Sequence, residues 1–437
     1  MTVSEQDYAA GQSGVDRELS TRFFDTSFKF SREEMTVLRD LGKKVAELSQ
    51  RPDMAVKRQL WIDHNALRKT RPLLYIDPEN SWNEIIPASS LTSRDPIARY
   101  WEIRLRRNIY YVENIRDDYV IEPYFDVCWD YSDSKWGIAP KRIGGLDGGA
   151  YRWEPALNDF EKDIDKIQTP VIEVDYERSE RFLNLAKTVF DGILTVRRKT
   201  IWWWGVGLSA QLSDLRGFEN YLMDFYDNPE CVHRAMARFR DGMLAKLDFL
   251  EKNRLLALND GSSYCGSGSL AWTDELPGKD YDADHVRLID MWGNAESQET
   301  VSVSPDMFDE FVLQYQIPLM EKFGLNCYGC CESLADRMHL VKRIPRLRRV
   351  SVAPWANIEV MADELKDDYI YSWKPNPAQL AVPVTHIDES RKQLRHMLDA
   401  TRGCHVEIIM KDVHTVANNP ANMHNWCAMV KEEIGAV

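Results

Sequence analysis

The chain has 437 residues, 44% of them hydrophobic, and its 55 basic against 69 acidic side chains give a formal net charge of −14. That balance repels nucleic acid and anionic membrane surfaces. No stretch reaches the roughly 18 consecutive apolar residues that a membrane span needs. The polar segment from Met1 to Gly14 lacks the apolar core of a secretory signal, so the eight cysteines are expected as reduced thiols in a cytoplasmic protein.

In chain order, residues 1–30 are expected as a loosely docked arm. Ser31 and Glu34 then form a capping-box pattern, with Met35, Leu38, Leu41, Val45 and Leu48 on one face of the helix that follows. Leu73 to Ile76 reads as a strand, Asp95-Pro96 starts an amphipathic helix to about Ile115, and Tyr119 to Trp129 is strand-like. Further strands are expected over 171–174, 200–206, 255–258 and 286–292, then over 323–327, 348–352, 369–373 and 405–410. Helices fall between them, over 178–193, 218–226, 305–323 and, with Asn228 and Pro229 at its start, to about Asn253. The basic run Lys342, Arg343, Arg346, Arg348 and Arg349 reads as a solvated face and strand entry.

Short apolar strands alternating with helices imply parallel βα units, and their number suits a closed sheet. The expected fold is therefore α/β, a (β/α)8 TIM barrel with an N-terminal helical extension, divided as residues 1–60 (arm and helix) and 61–437 (barrel).

Chemistry concentrates at Tyr328-Gly329-Cys330-Cys331-Glu332, where two thiols and a carboxylate crowd a strand-to-helix turn. The C-terminal rim of a strand is where such barrels keep their sites, and thiolates beside a carboxylate suit zinc. Trp61, His64 and Asn65 precede the first strand, and Asp290, Trp292 and Glu296 surround another strand end; all six are candidates for substrate contact, with Asp290 or Glu296 alternatively a metal ligand or a hydrogen-bond acceptor. Trp202, Trp203 and Trp204 sit on an expected strand, so one or two of them at most would face a pocket.

Several segments together resemble the uroporphyrinogen decarboxylase superfamily, in its methyltransferase-like branch. They are Gly217 to Glu230, Asp290-Met-Trp-Gly293, Ser304 to Phe308, the Gly-Cys-Cys-Glu turn, Pro345 to Val352, and Trp373 to Leu380. The Arg-rich substrate clamp of the decarboxylases is missing, its place being taken by Arg58 to Asn65. The resemblance implies zinc held by a His-x-Cys pair and a second Cys after the last strand. Cys330 matches the first Cys and Tyr328 stands in the place of the His, while Asp412 and His414 stand near the second Cys. The implied metal ligands are Cys330, His414 and either Cys331 or Glu332, with Glu332 and Asp412 as the catalytic carboxylates where Cys331 is the ligand. The implied activity is a zinc-dependent transfer of a methyl group from a small methylated substrate, for instance an aryl methyl ether or methylamine, to a corrinoid. Asp412-Val-His-Thr-Val-Ala417 falls short of a corrinoid-binding motif, so the corrinoid is expected on a partner protein; a homodimer is left open. The alternatives are a metal-dependent decarboxylase or lyase, which needs basic residues converging in the barrel mouth, and a non-catalytic tetrapyrrole-binding barrel.

Overall fold

A computed structural model describes residues 28–144 and 151–436. The expected N-terminal arm lies outside the described residues except for 28–30, where Phe28 packs on Phe182 and Phe30 on Trp101.

The first helix, α1 (Arg32–Ser49), forms as its sequence dictates. Ser31 Oγ accepts from Glu34 N, and Glu34 Oε2 accepts from Ser31 N at 2.8 Å, which closes the capping box. Helix α2 (Pro52–Asn65) follows and delivers the chain to the sheet. Later helices include α3 (Pro96–Tyr110), α4 (Tyr176–Phe190), α5 (Pro229–Lys252), α6 (Ile387–Ala400) and α7 (Ala421–Glu433). Asn228, expected as the N-cap of α5, makes no capping bond; its side-chain amide donates to Asp224 instead.

Among the described residues eight strands run in parallel arrangements: β1 (Leu73–Ile76), β2 (Tyr124–Val127), β3 (Thr195–Arg198), β4 (Trp292–Ala295), β5 (Leu325–Tyr328), β6 (Leu347–Val352), β7 (Ile370–Trp373) and β8 (His405–Met410). Six form one sheet in the order β1-β8-β7-β6-β5-β4, while β2 and β3 pair separately. The fold is thus mixed α/β with a six-stranded parallel sheet, and the sheet is not closed.

The open edges have a physical cause. At β1, carboxylates replace a neighbouring strand, since Leu74 N donates to Asp118 Oδ2 and Ile76 N to Asp117 Oδ2. At β4, Trp292 N is taken by the side chain of Asn259, and Val206 N contributes one bond to Asn294 O. Side-chain acceptors satisfy the edge without extending a ladder. The strands expected over 200–206 and 255–258 are accordingly loops, and the strand expected over 286–292 begins at Trp292.

A charged layer lies inside the sheet. Glu407 accepts from Ser269 at 2.8 Å and from Ser372, and lies 2.9 Å from Arg349 and 3.3 Å from His64. Burial works against its ionised form, but Arg349 and His64 outweigh that and hold the carboxyl well below the usual range. Arg349, expected on a solvated face, is 1% exposed, because its guanidinium serves Glu407. Among the described residues no helix is long and apolar enough to cross a membrane.

Candidate functional site

The chain turns sharply after β5. Gly329 has φ +93°, and a Cβ there would come within 2.9 Å of Leu334, so the position demands glycine. The turn presents Cys330 at the C-terminal edge of the sheet. Its N–H donates to Glu332 Oε2 and its carbonyl accepts from Ser351 Oγ. Glu332 also accepts from Ser297 N, so this fully buried carboxylate braces two loops.

Three groups meet the sulfur of Cys330: Cys331 Sγ at 3.6 Å, Ser267 Oγ at 3.3 Å and Lys411 Nζ at 3.7 Å. The Cys331 thiol donating to it, with help from Lys411 and Ser267 against the cost of burial, lowers the Cys330 pKa to about 7. The same hydrogen bond, with burial, raises that of Cys331. The pair is therefore asymmetric, a thiolate beside a thiol. Burial alone would pull Lys411 down, but Tyr264, Cys330 and Asp412 keep it firmly protonated.

Carboxyl groups complete the arrangement. Asp412 places Oδ1 3.0 Å from Lys411 Nζ and Oδ2 3.8 Å from Cys331 Sγ. Asp77, immediately after β1, is pushed well above the usual carboxylate range by burial and by Glu79; Glu79 is raised by burial and by Asp412. Burial thus favours the protonated form of Asp77.

A cavity of about 260 Å³ lies nearby, lined by Asp77 but not by Cys330, Cys331, Lys411 or Asp412 themselves. Tyr264, Cys265 and Gly266 form part of its wall, and the next residue, Ser267, is the one bonded to Cys330. Trp202, Trp203 and Trp204 all line it, more than strand alternation allows, because this segment is a loop. A second hollow is bordered by Cys331 with the exposed side chains Phe218, Val301 and Trp355.

The sequence-derived candidates divide. Cys330, Cys331, Glu332 and Asp412 come together. His414 does not join them: it is exposed, and its Nδ1 meets the Asn80 amide. Among the described residues no three or more His, Cys, Asp or Glu side chains are grouped to hold a metal ion. The expected triad of Cys330, Cys331 and His414 is therefore not assembled, and the Lys411 ammonium stands where a cation would be drawn to the Cys330 sulfur. As placed, these residues do not fit zinc.

Of the substrate-contact candidates, only Trp292 lines the cavity. Trp61 is buried and donates to Asp118 O, His64 faces Glu407, and Asn65 donates to Leu270 O and Trp272 O. These three sit at the end of α2, which leads to the N-terminal ends of the strands and away from the site. Asp290 precedes β4 and is held by Arg287, with Nε to Oδ2 at 2.9 Å. Glu296 follows β4 and accepts from Gln298 N; burial and Glu299 push its carboxyl well up. Sequence reasoning missed Asp77, Glu79, Tyr264 and Ser267. Asp77 alone carried a signal, as the first polar residue after a strand.

No family model matches the sequence, and no curated protein matches it. Among solved structures, the chain is similar to a methyltransferase from Methanosarcina mazei, with a TM-score of 0.50 and 9% identity over 86% of this chain and 98% of that one. At that identity the likeness establishes a shared fold and nothing finer.

Proposed function

We propose that this protein transfers a methyl group from a small methylated molecule, with the Cys330 thiolate as the group that meets the methyl carbon. The observation that carries this reading is the Cys330 sulfur, poised near neutral pH between Cys331, Ser267 and Lys411 beside a cavity. A thiolate is the nucleophile, and an ammonium beside it keeps the charge available at pH 7. In the step, the bond from methyl carbon to its oxygen or nitrogen breaks as the carbon–sulfur bond forms. The departing atom keeps the electron pair and takes a proton; Asp77, in the cavity wall with its carboxyl pushed up by burial, is the group this reading assigns to give it.

A thioether holds its methyl firmly, so turnover calls for a stronger acceptor. A corrinoid on a partner protein would supply that acceptor when bound, and the hollow bordered by Cys331, Phe218 and Trp355 gives it an approach. The residues do not fit zinc, and the reading assigns no step to it. The same reading treats the eight parallel strands as a (β/α)8 barrel within residues 61–437, extended by residues 1–60, in a cytoplasmic enzyme of the demethylating type.

The test uses a methoxylated aromatic labelled in its methyl group, with cobalamin reduced to cobalt(I) as acceptor. Label should reach the acceptor with the wild-type chain and not with Cys330→Ser. No transfer above the protein-free rate would overturn the reading.

One observation favours a second reading, a decarboxylase or lyase: Arg104, Arg107, Arg197 and Lys199 all line the cavity. Of the cations considered from sequence, Lys411 is at the site, but Arg58 lies over Trp272 and Arg287 is paired with Asp280 and Asp290. Release of carbon dioxide without methyl transfer would favour this reading.

A further inference from the structure

The cavity carries more information than its volume. Its walls are aromatic on several sides. Tyr111 and Tyr119 stack at 4.4 Å between ring centroids, Tyr75 stacks on Tyr111 at 5.8 Å, and Trp82 meets Tyr111 edge-on at 5.4 Å. An apolar cavity of about 150 Å³ accepts a benzene ring. The 260 Å³ here leaves room for one ring and small substituents, and excludes a tetrapyrrole without rearrangement.

Cations outnumber carboxyl groups in the lining, although Lys199 also lies 3.7 Å from Asp260, which is not part of it. Four cationic side chains line the space against three carboxyl groups, Asp77, Glu122 and Asp126. Asp126 stays ionised, because Arg197 grips it with two hydrogen bonds at 2.7 and 2.9 Å. Asp77 and Glu122 are both pushed up by burial, which reduces their negative charge further. Three guanidiniums lie on aromatic faces, Arg197 on Tyr124, Arg104 on Phe125 and Arg107 on Trp82, which presents them as flat, oriented donors.

A polar group also waits without a partner. Asn294 lines the cavity, is 5% exposed, and neither its Oδ1 nor its Nδ2 has a hydrogen-bond partner. Asp77, 3% exposed, has Oδ2 in the same condition. Buried polar atoms are rarely left so, and a ligand oxygen that accepts from the Asn294 amide would satisfy part of this demand.

We propose that this cavity binds a single-ring aromatic carboxylate carrying an oxygen substituent on the ring. The ring lies among the Tyr and Trp faces, the carboxylate meets the cations around Arg197 and Lys199, and the ring oxygen meets Asn294 and Asp77. The assignment deepens the methyl-transfer reading by naming the donor class, and rests on it for the reaction but not for the binding.

Calorimetric titration of the full chain with 4-methoxybenzoate, its neutral amide and cyclohexanecarboxylate tests this. The aromatic carboxylate should bind at least about tenfold more tightly than either comparator, in line with charge-assisted recognition. Arg197→Gln and Lys199→Gln should each narrow the preference over the amide. Equal binding of carboxylate and amide, or no binding at millimolar concentration, would overturn the assignment. Selective binding without methyl transfer would instead leave it standing and sink the methyl-transfer reading.

Discussion

Lys411 holds its ammonium 3.7 Å from the sulfur of Cys330, across 81 residues of sequence. The two are brought together because β8 and β5 end at the same edge of the sheet, and Lys411 is the first residue after Met410. Buried and held 3.0 Å from Asp412, the cation supports a thiolate that would otherwise be too costly to bury. Lys411→Met should therefore slow methyl transfer at pH 7 by roughly tenfold or more, with the loss shrinking at pH 9 as the thiol ionises unaided. Steady-state rates at the two pH values check this.

The thiol of Cys331 has a separate role as donor to Cys330. Cys331→Ala should raise the Cys330 pKa, and Cys331→Ser, which keeps a donor, should restore much of the shift. Ultraviolet absorbance of the thiolate across pH reads the difference.

His414 is exposed and outside the cysteine cluster. His414→Ala should leave the metal content of the purified protein unchanged, measured by plasma emission spectrometry. Loss of stoichiometric zinc in this variant would reinstate the expected triad.

Gly329 carries the turn that places Cys330. Gly329→Ala forces a side chain into φ +93° and onto Leu334, and should destabilise the protein by about 1–3 kcal/mol in urea unfolding.

Glu34 ties α1 to the start of α3 through Arg94 N and Asp95 N at 3.0 and 2.8 Å. Burial opposes its charge, but these amides and Ser31 prevail and lower its pKa to about 2 from 4.5. A carboxyl depressed on folding stabilises above its unfolded pKa and loses that contribution as pH falls through its folded value. Glu34→Gln should cost on the order of 2 kcal/mol at pH 7. The gap to wild type should close between about pH 4.5 and pH 2, as thermal unfolding would show.

Much of the scaffold was legible because it follows local rules. The Ser31–Glu34 box, the α5 start at Pro229, and β1, β6, β7 and β8 sit where periodicity and punctuation put them. The open edges of the sheet, where a closed barrel was expected, were not legible, because side chains of Asp117, Asp118 and Asn259 take over backbone bonds there, and no periodicity encodes that. At the site, the thiols were visible as a rare pair beside a carboxylate. Ser267 and Tyr264 were not, since a hairpin spanning Tyr264–Leu270 brings them in from a distant stretch. Arg349 shows the same limit, reading as one of a basic run until Glu407 appears across the sheet.

The most direct test is the pH dependence of Cys330 alkylation by iodoacetamide, followed by peptide mass spectrometry in the wild-type chain and in Lys411→Met. A reaction midpoint near pH 7 that moves upward in the variant is the predicted result. A wild-type midpoint near pH 9, indifferent to Lys411, would contradict it.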